Sequence, residues 1–132
     1  MKVLVVDDEI DIVSLFKQKF KKEINAEQAE FYFVHSAEEA IEYIKGLHRP
    51  ELVLILSDIN MPGMNGLELL KILKAEIPRL TVFMITAYDD ENKHRLAMEY
   101  GADKYLTKPI DFEELKAAMH EFNNANNNLM ME

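Results

Sequence analysis

The chain turns on Leu52–Asn65, which reads LVLILSDINMPGMN. Leu52 to Leu56 are all apolar, a run far too short for a membrane-spanning helix. Bounded as it is by turn formers, the run reads as a strand buried on both faces. Ser57 and Asp58 end it, and Pro62 and Gly63 then break the chain, since proline has no N–H to continue a ladder. Asp58 therefore stands where a buried strand opens into a loop. In open α/β sheets that carboxyl-end rim is where ligands bind. A lone aspartate there would do no more than cap a loop. Asp58 gains weight because the rest of the chain sends acids, a hydroxyl and a lysine to the same rim.

Outward from that stretch, strands and helices alternate. Lys2 to Val6 is a short apolar strand that ends in three adjacent acids, Asp7, Asp8 and Glu9. An amphipathic helix of about four turns follows, with Ile10, Val13, Phe16 or Lys17, Phe20 and Ile24 on one stripe. Glu30 to His35 is a second strand, rich in aromatic and β-branched residues. His35 is solitary and reads as structural or surface. Ser36 and Glu39 form a capping box for a helix that buries Ala37, Ala40, Ile41, Ile44 and Leu47 and ends at Gly46 and Pro50. Asn65 and Glu68 start the next helix, with Leu67, Leu70, Leu73 and Ile77 inward and Pro78 as the stop. Leu80 to Ile85 is a fourth strand with Thr86 at its carboxyl end. A polar fourth helix, roughly Glu91 to Tyr100, closes at Gly101. Lys104 to Leu106 is a fifth strand ending in Thr107, Lys108 and Pro109. Asp111 and Glu114 open a last helix with Phe112, Leu115, Met119 and Phe122 as its core stripe.

Five strand–helix alternations with short links predict right-handed βαβ units: an α/β fold, doubly wound, with a five-stranded parallel sheet and helices on both faces. Residues 1–122 make one domain. The 123–132 tail, NNANNNLMME, reads as low-complexity chain or the start of a linker. At 132 residues the domain can bury a core without staples, and it has no cysteine for disulfide or thiolate chemistry. The net charge of −9, from 24 acids against 15 lysines and arginines, argues against direct binding to nucleic acid or an anionic membrane. The apolar run at the amino terminus is too short for a signal peptide, so a cytoplasmic protein is expected.

In the strand order 2-1-3-4-5, strands one, three, four and five are successive neighbours ~4.8 Å apart. Asp7 and Asp8, Asp58, Thr86 and Lys108 then converge on one crevice. Carboxylates so close repel and call for a cation, and an all-oxygen donor set suits Mg²⁺. Lys108 adds a point charge and Thr86 a hydroxyl. Such a site fits a phosphoryl group, and a carboxylate can itself accept one as an aspartyl phosphate.

Over residues 1–122 the chain resembles the receiver domain of bacterial two-component response regulators. VLVVDDE, SDINMPGMNGLELL, ITAY and GADKYLTKPID carry the resemblance, in that order and on those elements. It implies a flavodoxin-like sheet order and Asp58 as phosphoacceptor, fed by a histidine kinase or phosphotransfer protein. It implies Mg²⁺ held by Asp7, Asp8, Asp58 and the backbone carbonyl of Asn60. Lys108 would pair with the phosphoryl oxygens, and Thr86 would hydrogen-bond to them and switch together with Tyr105. Asn60 and Tyr88, two residues beyond Asp58 and Thr86, would tune the lifetime. Pro109 would follow a cis peptide bond. An output domain or downstream protein would read the fourth helix, the fifth strand and the last helix. The last helix, LKAAMHEF, lacks the arginines that the winged-helix transcription-factor subgroup uses for dimer contacts, which leans toward a monomer.

Two other readings compete. A haloacid-dehalogenase-like phosphohydrolase also uses Asp, Thr or Ser, Lys and Mg²⁺, but its nucleophile heads an Asp-x-Asp motif after strand one, and here those acids are adjacent. A flavodoxin-like cofactor binder needs a Gly/Thr-rich phosphate loop after strand one, which this chain lacks.

Overall fold

The structure is a computed structural model that describes residues 1–46, 54–87 and 90–131, with side chains through residue 123. Leu47, Pro50, Leu52, Val53 and Tyr88 lie outside the described residues. The strands are β1 (Lys2–Val6), β2 (Glu30–Val34), β3 (Leu54–Asp58), β4 (Thr81–Thr86) and β5 (Lys104–Thr107). They form one sheet in the order β2-β1-β3-β4-β5, and every pairing is parallel. The doubly wound order expected from the sequence is the one observed.

Side-chain alternation along a strand splits the apolar runs between two cores. Val3, Val5, Leu54, Leu56, Phe83 and Ile85 face one side of the sheet, where α1 (Asp11–Lys19) and α6 (Phe112–Met131) cover them. Leu4, Val6, Ile55, Val82 and Met84 face the other, under α3 (Ala37–Lys45), α4 (Gly66–Glu76) and α5 (Glu91–Glu99). The central strands read as unbroken apolar runs because both of their faces are buried. Three side-chain caps start helices as expected: Ser36 Oγ accepts from Glu39 N, Asn65 Oδ1 from Glu68 N, and Asp111 Oδ1 from Glu114 N. Among the described residues, no helix is long and apolar enough to cross a membrane.

Two elements depart from the sequence reading. The expected first helix is two: α1 stops at Lys19, and after Phe20 (φ −108°) a short α2 (Lys21–Asn25) follows. The inward stripe of α1 begins at Ile12, not at Ile10, which is 74% exposed. Ile12, Phe16 and Phe20 are buried at four-residue intervals, and Phe16 and Phe20 join Phe31 and Phe112 in an aromatic cluster. The pattern Ile10–Val13 also satisfies helical spacing, so periodicity alone did not choose the register. At the other end, α6 runs on to Met131, through the asparagine stretch that reads as low-complexity chain or the start of a linker. Propagating an existing helix is far easier than starting one, and no proline or glycine interrupts this tail.

Candidate functional site

Register brings the expected residues together. Val6 pairs with Ser57, Asp58 with Ile85, and Thr86 with Thr107. Asp7 and Lys108, each one residue past its strand, therefore end level with Asp58 and Thr86. The ladder continues past the strands: Lys108 N donates to the Thr86 carbonyl at 2.7 Å and Ile59 N to the Ile85 carbonyl at 3.0 Å. Lys108–Pro109 is a cis peptide bond, as expected.

Asp7, Asp8 and Asp58 offer carboxylate oxygens that all lie within 4.8 Å of one another. Asp7 and Asp58 are buried and Asp8 is exposed. Lys108 sits among them, with its Nζ 3.0 Å from Asp7, 3.4 Å from Asp58 and 3.6 Å from Glu9. The other oxygen of Asp7 accepts from Glu9 N at 2.9 Å. Three carboxylates thus share one ammonium, with the Asp8 carboxylate close by, and this excess of negative charge suits a divalent cation in an all-oxygen setting.

The charges act on one another. Burial pushes the Asp58 carboxyl above its ordinary value; Lys108 pulls it back, and the charge of Asp7 pushes the same way as burial. Burial by itself would lower the Lys108 ammonium. The hydrogen bond that Lys108 donates to Asp7 and the charges of Asp58, Asp7 and Glu9 overcome that and raise it. The distances agree: Lys108 leans toward Asp7, so Asp58 receives less of its compensation.

Thr86 is fully buried, and its hydroxyl oxygen accepts from Asn60 Nδ2 at 3.2 Å. Asn60 N donates to Asp58 Oδ1 at 3.4 Å. Tyr105 is half-buried, and its ring stacks on His94 of α5, centroids 4.2 Å apart and planes 5° apart. Of the expected site residues, Asp7, Asp8, Asp58, Asn60, Thr86 and Lys108 come together at one rim. Tyr105 lies earlier on β5, paired with Met84 two residues before Thr86.

Two residues, Gly66 and Lys93, escaped the sequence reading, and His35 proves structural, as it reads in the sequence. Gly66 opens α4 directly against the end of β3. Its N–H donates to the Ile59 carbonyl at 2.8 Å, and a Cβ there would overlap the Asp58 carbonyl oxygen and stand 2.9 Å from Ile59 Cα. A glycine immediately after the Asn65 cap is the signal that could have revealed it. His35 is structural in a particular way: its Nδ1 donates to the Asp7 carbonyl at 2.9 Å, a carbonyl being able only to accept. It thereby ties the end of β2 to the acidic turn. Lys93, in the first turn of α5, donates to Asn60 Oδ1 at 2.9 Å. In a polar helix nothing in the sequence distinguishes it from its charged neighbours.

Residues 3–120 match the family model described as response regulator receiver domain. The chain belongs to that family. It is 36% identical over 115 residues to the DNA-binding transcriptional regulator NtrC of Proteus hauseri, covering 87% of this chain and 23% of that one. It is 35% identical over 116 residues to the alkaline phosphatase synthesis transcriptional regulatory protein PhoP of Bacillus subtilis (strain 168), covering 88% and 45%. The chain thus spans less than half the length of these two relatives. A response regulator receiver domain protein from Clostridium thermocellum superposes with TM-score 0.85 at 26% identity, covering 97% of this chain and 98% of that one. Receiver domains are phosphoacceptor switches of two-component signalling, not enzymes in the ordinary sense, and they bind Mg²⁺ at an acidic pocket. The family match decides against the phosphohydrolase and cofactor-binding alternatives.

Proposed function

We propose that Asp58 accepts a phosphoryl group from the phosphohistidine of a histidine kinase or phosphotransfer protein, and that the chain changes its partner-binding surface in response. The observation that carries this reading is the placement of a buried Asp58 beside Asp7, Asp8 and Lys108 at the rim where Thr86 also emerges. Asp7, Asp8, Asp58 and the Asn60 carbonyl would hold Mg²⁺, and the close carboxylate oxygens fit such an ion. When bound, the ion neutralises charge on the phosphoryl oxygens. The Asp58 carboxylate attacks phosphorus, the P–N bond to the donor imidazole breaks, and the new P–O bond makes an acyl phosphate. Lys108 leaves Asp7 to pair with a phosphoryl oxygen. Thr86 turns its hydroxyl to donate to another, and Tyr105 fills the space vacated beside β4. The surface read by an output domain or downstream protein is then α5, β5 and α6. Asn60 and Tyr88 govern how water reaches the phosphoryl group. A kinase fed by ATP works on the cytoplasmic side, so the reading carries a cytoplasmic location.

Acetyl phosphate with Mg²⁺ tests this directly. Intact mass should show one added phosphoryl group on the wild type and none on Asp58→Asn. Equal labelling of the variant would refute the assignment of Asp58.

A further inference from the structure

Both ends of the Asn60 amide are taken. Lys93 Nζ donates to its Oδ1 at 2.9 Å, while its Nδ2 donates to the Thr86 hydroxyl at 3.2 Å. An ammonium can only donate and an amide nitrogen can only donate, so the amide has one orientation that serves both neighbours. Its backbone N–H meanwhile reaches Asp58 Oδ1 at 3.4 Å. Lys93 is half-buried in the first turn of α5, where Asp90 Oδ1 accepts from Asn92 N and Lys93 N, and that cap anchors the clamp. A single side chain of α5 thus holds, through one amide, a residue linked to both Asp58 and Thr86.

We propose that Lys93 is a positioning residue for the chemistry at Asp58: it holds the Asn60 amide by its oxygen and so slows hydrolysis of the aspartyl phosphate. The proposal rests on the reading of Asp58 given above. In hydrolysis, water attacks phosphorus, the bond to the Asp58 oxygen breaks, the carboxylate leaves and inorganic phosphate departs with the water's oxygen. An amide released from Lys93 can turn its oxygen to accept from that water and align it. Held at both ends in one orientation, it cannot turn its oxygen toward that water. The clamp also gives α5, part of the proposed readout surface, a direct handle on the lifetime of the signal. A partner that draws Lys93 away would shorten the phosphorylated state.

Three substitutions, two of them also combined, and two readouts test it. After labelling with acetyl phosphate and Mg²⁺ and removal of the donor, Lys93→Ala should lose its phosphoryl group about three- to tenfold faster than wild type, the factor that one hydrogen bond of modest net strength carries. Lys93→Arg, which keeps a donor, should stay near the wild-type rate. In an Asn60→Ala background the effect of Lys93→Ala should vanish, because the lysine acts through that amide. An unchanged or slower decay in Lys93→Ala, or the same acceleration in both backgrounds, overturns the proposal. Separately, in metal-free unphosphorylated protein, the Asn60 side-chain amide resonances should shift in Lys93→Ala and hold in Lys93→Arg; resonances unmoved in Lys93→Ala overturn the clamp. A wild type that takes no phosphoryl group would overturn the reading of Asp58 instead, and the resonance experiment would still decide whether the clamp exists.

Discussion

Two lysines stand at opposite ends of the same sheet, each mostly covered and each beside aspartates. At the amino ends of the strands, Lys74 of α4 meets Asp103 at 2.9 Å, one ammonium to one carboxylate. Every partner there is matched: Lys74 also donates to the Leu80 carbonyl at 2.7 Å, and Asp103 Oδ2 also accepts from Val82 N at 2.9 Å. The methylenes of Lys74 pack under Gly101, whose φ of +98° closes α5 where a side chain would be strained. At the carboxyl ends, Lys108 faces Asp7, Asp58 and Glu9, with Asp8 close by. The two lysines are equally covered, 17% and 15% exposed, so burial does not separate them. Balance does. The balanced end ties α4, β4 and β5 together. The unbalanced end holds uncompensated charge, a cost to the fold that makes sense only if something else is bound there.

That contrast can be broken by substitution, and the largest effect belongs to the balanced end. Asp103→Ala should lower stability by about 2–4 kcal/mol, since it strands a covered ammonium and removes the acceptor of Val82 N. Urea midpoints measure it, and a loss below about 1 kcal/mol would mean that the pair is no staple. At the unbalanced end the sign reverses. Asp8→Asn should raise the metal-free stability by about 1 kcal/mol, as relaxing a like-charge cluster does. Millimolar Mg²⁺ should shift the wild-type midpoint upward by binding only the native state, and the same change should erase that shift. A destabilised Asp8→Asn, or one that still responds to Mg²⁺, contradicts the contrast. The smallest effect is expected where neither burial nor crowding acts. Arg95 and Glu99 pair at 3.0 Å on the outer face of α5, 60% and 55% exposed. Arg95→Ala should cost under about 0.5 kcal/mol, and less in high salt. A larger loss there would show that pairing itself, rather than covered and balanced pairing, sets stability in this domain.

Much of this was written in the residue order. Apolar runs that end in acids, a hydroxyl or a lysine put strand ends and chemistry at the same places, so Asp7, Asp58, Thr86 and Lys108 are legible in the sequence. The caps at Ser36, Asn65 and Asp111 were equally plain, because a cap is a local hydrogen bond between residues a few positions apart. Helix register was less plain. Ile10 and Ile12 both fit a 3.6-residue period, and only the aromatic cluster around Phe16 and Phe20 decides for Ile12.

By itself, then, the sequence determined the order of elements, the two-faced burial of the central strands and the rim at which the acids gather, all properties of spacing along one chain. The tertiary structure alone decided how the charges are shared: that Lys108 leans to Asp7 rather than Asp58, that Lys74 finds Asp103, and that His35 holds the acidic turn. It alone seated Gly66 against the Asp58 carbonyl and brought Lys93 to Asn60, 33 residues away. The physical reason is range. Periodicity and capping act over a turn or two, whereas a hydrogen bond between distant segments depends on register and packing angles that no local pattern encodes.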